Sequence, residues 1–144
     1  MQFVASLEML PSMLELINAQ LKKMACTSKE RHQIEVSVEE ALVNVINYAY
    51  CESPGKVEIV CISPALNQIE IVIKDWGIPF NPETFANRIQ KDLSLEERKV
   101  GGLGVYFMHQ LMDAVSYKRE GGANILTMVK KINPEYLADK KFCP

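Results

Sequence analysis

Apolar positions along the chain change period several times, and each change predicts an element. "MQFVASL" alternates loosely ahead of Leu10, Pro11 and Ser12 and predicts a short opening strand. In "PSMLELINAQLKKMACTS", Met13, Leu14, Ile17, Leu21 and Met24 recur at helical spacing and leave Glu15, Asn18, Lys22 and Lys23 outside. With Pro11 suited to a first turn, this predicts an amphipathic helix ending near Cys26. A second helix is predicted from about Ser28, whose hydroxyl can cap it, to about Tyr50. "KVEIVCIS" and "QIEIVIKDW" are rich in β-branched residues and predict two strands joined at "PALN". From Gly77 to Gly104 the pattern breaks into two prolines, a charge cluster and four glycines, the composition of either a functional lid or a partly disordered segment. A helix at Val105 to Asp113 follows, and then "AVSYKRE" and "NILTMVKKI", a strand pair turning at "GGA". Strand, two helices, two strands, lid, helix and two strands predict an α+β fold. It is a two-layer α/β sandwich whose mixed sheet is covered on one face by helices.

Composition narrows the function. The 144 residues suit one domain, 1–144, and 48% hydrophobic and 24% charged residues with a net charge of −2 are ordinary for a soluble protein. Lys and Arg are scattered, so the basic footprint of a nucleic-acid binder is missing and no direct nucleic-acid partner is expected. No apolar run approaches the roughly 18 residues of a membrane span, and the N-terminus lacks a signal pattern, so a cytoplasmic protein is expected. Cys26, Cys51, Cys61 and Cys143 are widely separated without a C-x-x-C pair and are expected as free, mostly buried thiols.

Candidate chemistry begins on the second helix. Ile34, Val38, Ala41, Leu42, Val45, Ile46 and Ala49 give it a wide apolar face, yet Gln33, Ser37, Glu40, Asn44 and Asn47 form one narrow polar row. That row either meets solvent or faces something polar. In the second case Asn44 offers a neutral oxygen to a hard cation, with the Glu40 carboxylate one turn away, the oxygen chemistry of phosphate-bound Mg²⁺.

Two glycine-bearing turns extend the pattern. "IVIKDWGIPFNP" ends a strand at Asp75 and then reaches Gly77. That is either a common turn or a carboxylate that accepts from an exocyclic amine beside a glycine where a flat ring can approach. "KVGGLGVYFMHQLMD" places Gly101, Gly102 and Gly104 before a helix, as a flexible hinge or as backbone N–H groups free to bind phosphate. No Gly-Lys-Ser/Thr follows and no strand immediately precedes, so neither a P-loop nor a Rossmann turn is implied.

These three segments in this order resemble the boxes of the GHKL (Bergerat-fold) ATPase superfamily, and within it the short anti-sigma regulatory factors that are serine/threonine protein kinases of partner-switching systems. "VEEALVNVINYAY" is similar to the first box, "KDWGIPFNP" to the second, and "GGLGVYFMHQLMDAVSY" with "NILTMVKKI" to the third and the closing strands. The resemblance implies ATP and Mg²⁺ as cofactors. It also implies Glu40 as general base, Asn44 as Mg²⁺ ligand with Asn47 as a nucleotide neighbour, and Asp75 as the reader of the adenine amine. Gly77 would make room for the ring, Gly101, Gly102 and Gly104 would wrap the phosphates, and the Thr127 hydroxyl would support the adenine contact. Pro79 stands where the superfamily often has another glycine. Implied partners are a sigma factor, a small STAS-type anti-sigma-factor antagonist and a second copy in a homodimer. The alternatives are a non-catalytic ATP-binding partner-switching regulator and the ATP-binding domain of a sensor histidine kinase, for which His32 and His109 lie within this chain's own helices.

Overall fold

The computed structural model describes residues 1–81 and 104–133. The first strand, β1 (Gln2–Val4), leads into α1 (Leu10–Lys23), which buries Met13, Ile17 and Leu21 and carries its proline in the first turn, as the spacing predicts. The next helix, α2 (Ser28–Asn44), is capped one residue before the expected Ser28. Thr27 is the N-cap: its Oγ1 accepts from Glu30 N at 3.1 Å while Glu30 Oε2 accepts from Thr27 N at 2.7 Å, a reciprocal box that satisfies two orphan donors. Val45–Ala49 continue as a π-helical turn, so the α-helix proper stops at Asn44.

Four further strands complete the sheet: β2 (Lys56–Ala65), β3 (Gln68–Asp75), β4 (Ala114–Glu120) and β5 (Ala123–Lys131). Residues 104–111, α3, are helical. Strand order is β1-β2-β3-β5-β4, and every pairing is antiparallel. The α+β class and the two layers hold, but the expected mixed sheet is corrected to an antiparallel one. Two tight hairpins, β2–β3 and β4–β5, dock with β5 beside β3, and the long 76–113 connection brings the chain back without making a parallel neighbour.

Helices cover one face of the sheet. Ile34, Val38, Ala41 and Leu42 of α2 pack with Val57, Ile59, Ile69, Ile71 and Ile73 of β2 and β3, joined by Met108, Met112 and Met128. Burial alternates strictly along β3, so its odd-numbered residues, Asp75 included, face the helices. Among the described residues no helix is long and apolar enough to cross a membrane. Cys26 is buried as expected, whereas Cys51 is exposed in the turn after the π-helical segment and Cys61 is half-buried; all three are free thiols, and Cys143 lies outside the described residues.

Candidate functional site

The π turn after α2 is pinned to the residues that follow β3 and to the start of β2. Ala49 O, released by the π turn, accepts from Ile78 N at 2.9 Å. The Tyr50 hydroxyl accepts from Trp76 N at 2.9 Å and donates to Lys56 O at 2.5 Å. Burial pushes the Tyr50 phenol above its ordinary value, and the nearby Asp75 charge adds to that, so the hydroxyl keeps the proton it donates. Gly77 packs directly on this joint: a Cβ there would collide with the Ala49 carbonyl.

Between the two elements lies a pocket. Its floor is two cross-strand rows: Asp75 paired with Asn124, and Ile73 paired with Leu126, the latter beside Tyr117. Ala41, Asn44 and Val45 of the second helix, Met108 of α3, and Phe80 supply the walls of a narrow cavity of about 20 Å³. A flat apolar lining with a few convergent polar groups is what a purine base requires. Phe80 is itself fixed by stacking on Tyr48, with ring centroids 6.1 Å apart. A groove lined by Met1, Leu16, Ile17, Gln20, Ile59, Val60 and Cys61 has no acidic or basic side chain and offers no comparable chemistry.

Asp75 is 5% exposed, and its Oδ1 accepts from Gly77 N at 2.9 Å and from Asn124 Nδ2 at 2.8 Å. Among the described residues Oδ2 takes no hydrogen bond. Burial pushes the carboxyl above the usual aspartate value, opposed by the Asn124 and Gly77 donors and by the Arg119 charge. Asn44 is 8% exposed on the pocket wall, and no described residue hydrogen-bonds its side chain. Its amide belongs to the pocket lining, where an oxygen or a nitrogen can meet a ligand.

Glu40, half-buried one turn before Asn44, meets a different element. A Cβ on Gly104 would fall on the Glu40 carboxylate, so the glycine at the described start of α3 makes room for that side chain. Gly101 and Gly102 lie outside the described residues. The site thus brings together Asp75, Gly77 and Asn44, with Glu40 and Gly104 one turn along α2.

Two expected residues fall elsewhere. Asn47 is exposed, because the π turn rotates the positions after Asn44 off the helix row. Thr127 pairs with Val72 and Ser116, which puts it on the opposite sheet face from Asp75. The residue of β5 paired with Asp75 is Asn124. It is buried, and its signal in the sequence was only a polar residue among the apolar positions of a closing strand, three residues before Thr127.

Comparison with known proteins agrees with this geometry. Residues 3–130 match the family model described as the histidine kinase-like ATPase domain. The chain is 32% identical over 118 residues to the serine-protein kinase RsbW of Staphylococcus aureus strain JH9, covering 78% of this chain and 73% of that protein. Its fold is similar to that in the SiaB-SiaC complex from Pseudomonas aeruginosa, with TM-score 0.56 and 16% identity over 92% of this chain and 89% of that one. It is also similar to the histidine kinase domain of the Erythrobacter litoralis blue-light activated histidine kinase, with TM-score 0.54 and 18% identity over 76% of this chain and 48% of that one. A five-stranded antiparallel sheet under helices, a buried Asp-x-Gly turn facing an asparagine, and a match over nearly the whole chain place this protein in the family of histidine kinase-like ATPase domains, as a relative of the RsbW serine-protein kinases.

Proposed function

We propose that residues 1–144 form a single-domain, cytoplasmic serine/threonine protein kinase and anti-sigma factor. It takes the γ-phosphoryl group of ATP to a hydroxyl on a small STAS-type antagonist protein, and it sequesters a sigma factor as a homodimer. The observation that carries the nucleotide part is Asp75, a buried carboxylate that lines an apolar pocket and takes two donors on one oxygen.

Each residue has a definite task in this reading. Asp75 Oδ2 accepts from the exocyclic amine of adenine, and Ile73, Leu126 and Phe80 sandwich the ring. Asn44 fits a magnesium–phosphate group, because it lines the pocket one helical turn from Glu40 and its amide oxygen is a neutral ligand for a hard cation. Among the described residues no cluster of three His, Cys, Asp or Glu side chains forms a protein-only cage, so such an ion would arrive with the phosphates. Magnesium, when bound, neutralises charge on the transferring phosphoryl group. Glu40, one helical turn on, takes the proton from the incoming hydroxyl, and Gly104 leaves its carboxylate free to sit there. Gly101 and Gly102 would hold the phosphates through backbone N–H groups. The relationship to RsbW kinases and the fold shared with the SiaB-SiaC complex support partners of the antagonist and sigma type.

The test is to mix the protein with ATP, Mg²⁺ and a small STAS-type antagonist protein, and to compare Glu40→Gln with wild type. Transfer by the wild type that falls about 10²–10⁴-fold in the variant, with nucleotide affinity retained, supports the proposal. Transfer at the wild-type rate removes Glu40 as base, and ATP bound without any transfer leaves a non-catalytic regulator.

A further inference from the structure

We infer that Asn124 is the positioning residue that holds Asp75 as a fixed acceptor and thereby sets a preference for 6-amino over 6-oxo purines. The inference rests on the nucleotide reading above and assigns its base selectivity to a residue outside the three motifs.

The amide of Asn124 has only one permissible orientation. Arg119 can donate but never accept, and its guanidinium lies 2.8 Å from Oδ1; the Tyr117 hydroxyl adds a second bond to that oxygen at 2.7 Å. Nδ2 is therefore forced to the other side, where it donates to Asp75 Oδ1 and to Ile78 O, both at 2.8 Å. Gly77 N donates to the same Asp75 oxygen at 2.9 Å. With two donors on one oxygen, the carboxylate plane is held, and the other oxygen is the one left for a ligand. Because both donors favour the ionised form, Oδ2 stays an acceptor in a buried place that would otherwise favour its protonation. An ionised Oδ2 welcomes an amine and repels a carbonyl oxygen at position 6 of a purine.

Strand register makes the arrangement specific to position 124. Asp75, Asn124 and Arg119 are direct cross-strand partners on β3, β5 and β4, so the three polar groups form one row at the pocket's edge. Moving the amide one residue along β5 would put it on the other sheet face.

The experiment compares ATP and ITP binding by calorimetry with Mg²⁺ present, for wild type, Asn124→Leu and Asn124→Asp. ITP differs from ATP in its purine, whose position 6 carries an oxygen. Wild type is expected to prefer ATP by at least about tenfold, and both variants to lose most of that ratio, since the pocket's amine-reading group is no longer held as an acceptor. Asn124→Asp is isosteric and keeps an oxygen for Tyr117 and Arg119, which covers the case in which the leucine variant fails to fold. Asn124→Thr, which retains one hydroxyl donor, is expected to fall between wild type and the leucine variant. Equal loss of ATP and ITP affinity with the ratio unchanged assigns Asn124 a purely structural role and overturns the inference. A wild type that binds neither nucleotide overturns the parent reading and this one together, a result distinguishable from the first.

Discussion

Gly77 has no room for a side chain because the Ala49 carbonyl, which accepts Ile78 N at 2.9 Å, occupies the space a Cβ would need. The neighbour is backbone, so it cannot swing aside as a side chain could. Gly77→Ala is expected to destabilise the fold by about 1–3 kcal/mol through overpacking and to weaken nucleotide binding by displacing Asp75. Urea denaturation together with nucleotide titration checks this; unchanged values in both would mean the joint yields without consequence.

Asp75 is predicted to trade stability for function. Its carboxyl is held above the ordinary aspartate value chiefly by burial, so the folded state binds its proton more tightly than the unfolded chain does. Its contribution is therefore fully favourable below the unfolded aspartate pKa and is lost as pH rises through the folded value. Asp75→Asn, which keeps an oxygen for Gly77 N and Asn124 Nδ2, should be more stable than wild type at pH 7 and lose that advantage toward about pH 3.5, below the ordinary aspartate value. The same variant should bind ATP roughly tenfold or more weakly, since a hydrogen bond to a charged group is worth about 1.5–3 kcal/mol. Denaturation midpoints across pH, paired with titration at pH 7, read both effects.

Glu40 and Gly104 should act as a coupled pair. The atom facing Gly104 is the end of a flexible side chain, so Gly104→Ala is expected to alter stability by less than about 1 kcal/mol while displacing the carboxylate and slowing phosphoryl transfer. In a Glu40→Ala background the glycine substitution should have little further effect on transfer. A double-mutant cycle on initial rates gives the coupling, and strictly additive losses would separate the two residues.

Thiol chemistry offers a check on the helix-covered layer. Burial, with Cys26 nearby, pushes the Cys61 thiol up to about 11, and Cys26 is buried. Cys51 is exposed. Iodoacetamide at pH 8 should therefore label Cys51 well before Cys61 and Cys26 in the folded protein, as followed by peptide mass spectrometry. Labelling of Cys61 at the rate of Cys51 would contradict the packing between α1 and β2.

Much of this fold was legible from periodicity. Met13, Ile17 and Leu21 turned inward as their spacing demanded, and the Asp75-x-Gly77 turn sits at the end of the strand that carries it. What stayed hidden has physical causes. Strand residues alternate faces, so a support for Asp75 had to be at 124, 126 or 128 and not at 127, a distinction that needs the β3–β5 register. Asn47 continued the polar row only for an unbroken α-helix, and no residue in "VINYA" announces the π turn that breaks it. The antiparallel sheet depended on β5, and not β4, docking beside β3, a choice made by tertiary packing.

The central claim is that an adenine nucleotide lies between α2 and the β3–β5 floor with its base on Asp75. A crystal structure with Mg²⁺ and a non-hydrolysable ATP analogue tests it most directly. The account predicts the exocyclic amine about 2.7–3.2 Å from Asp75 Oδ2 and the phosphates on the Asn44 side. A nucleotide bound elsewhere, or an Asp75 pocket left unfilled at millimolar analogue, would contradict it.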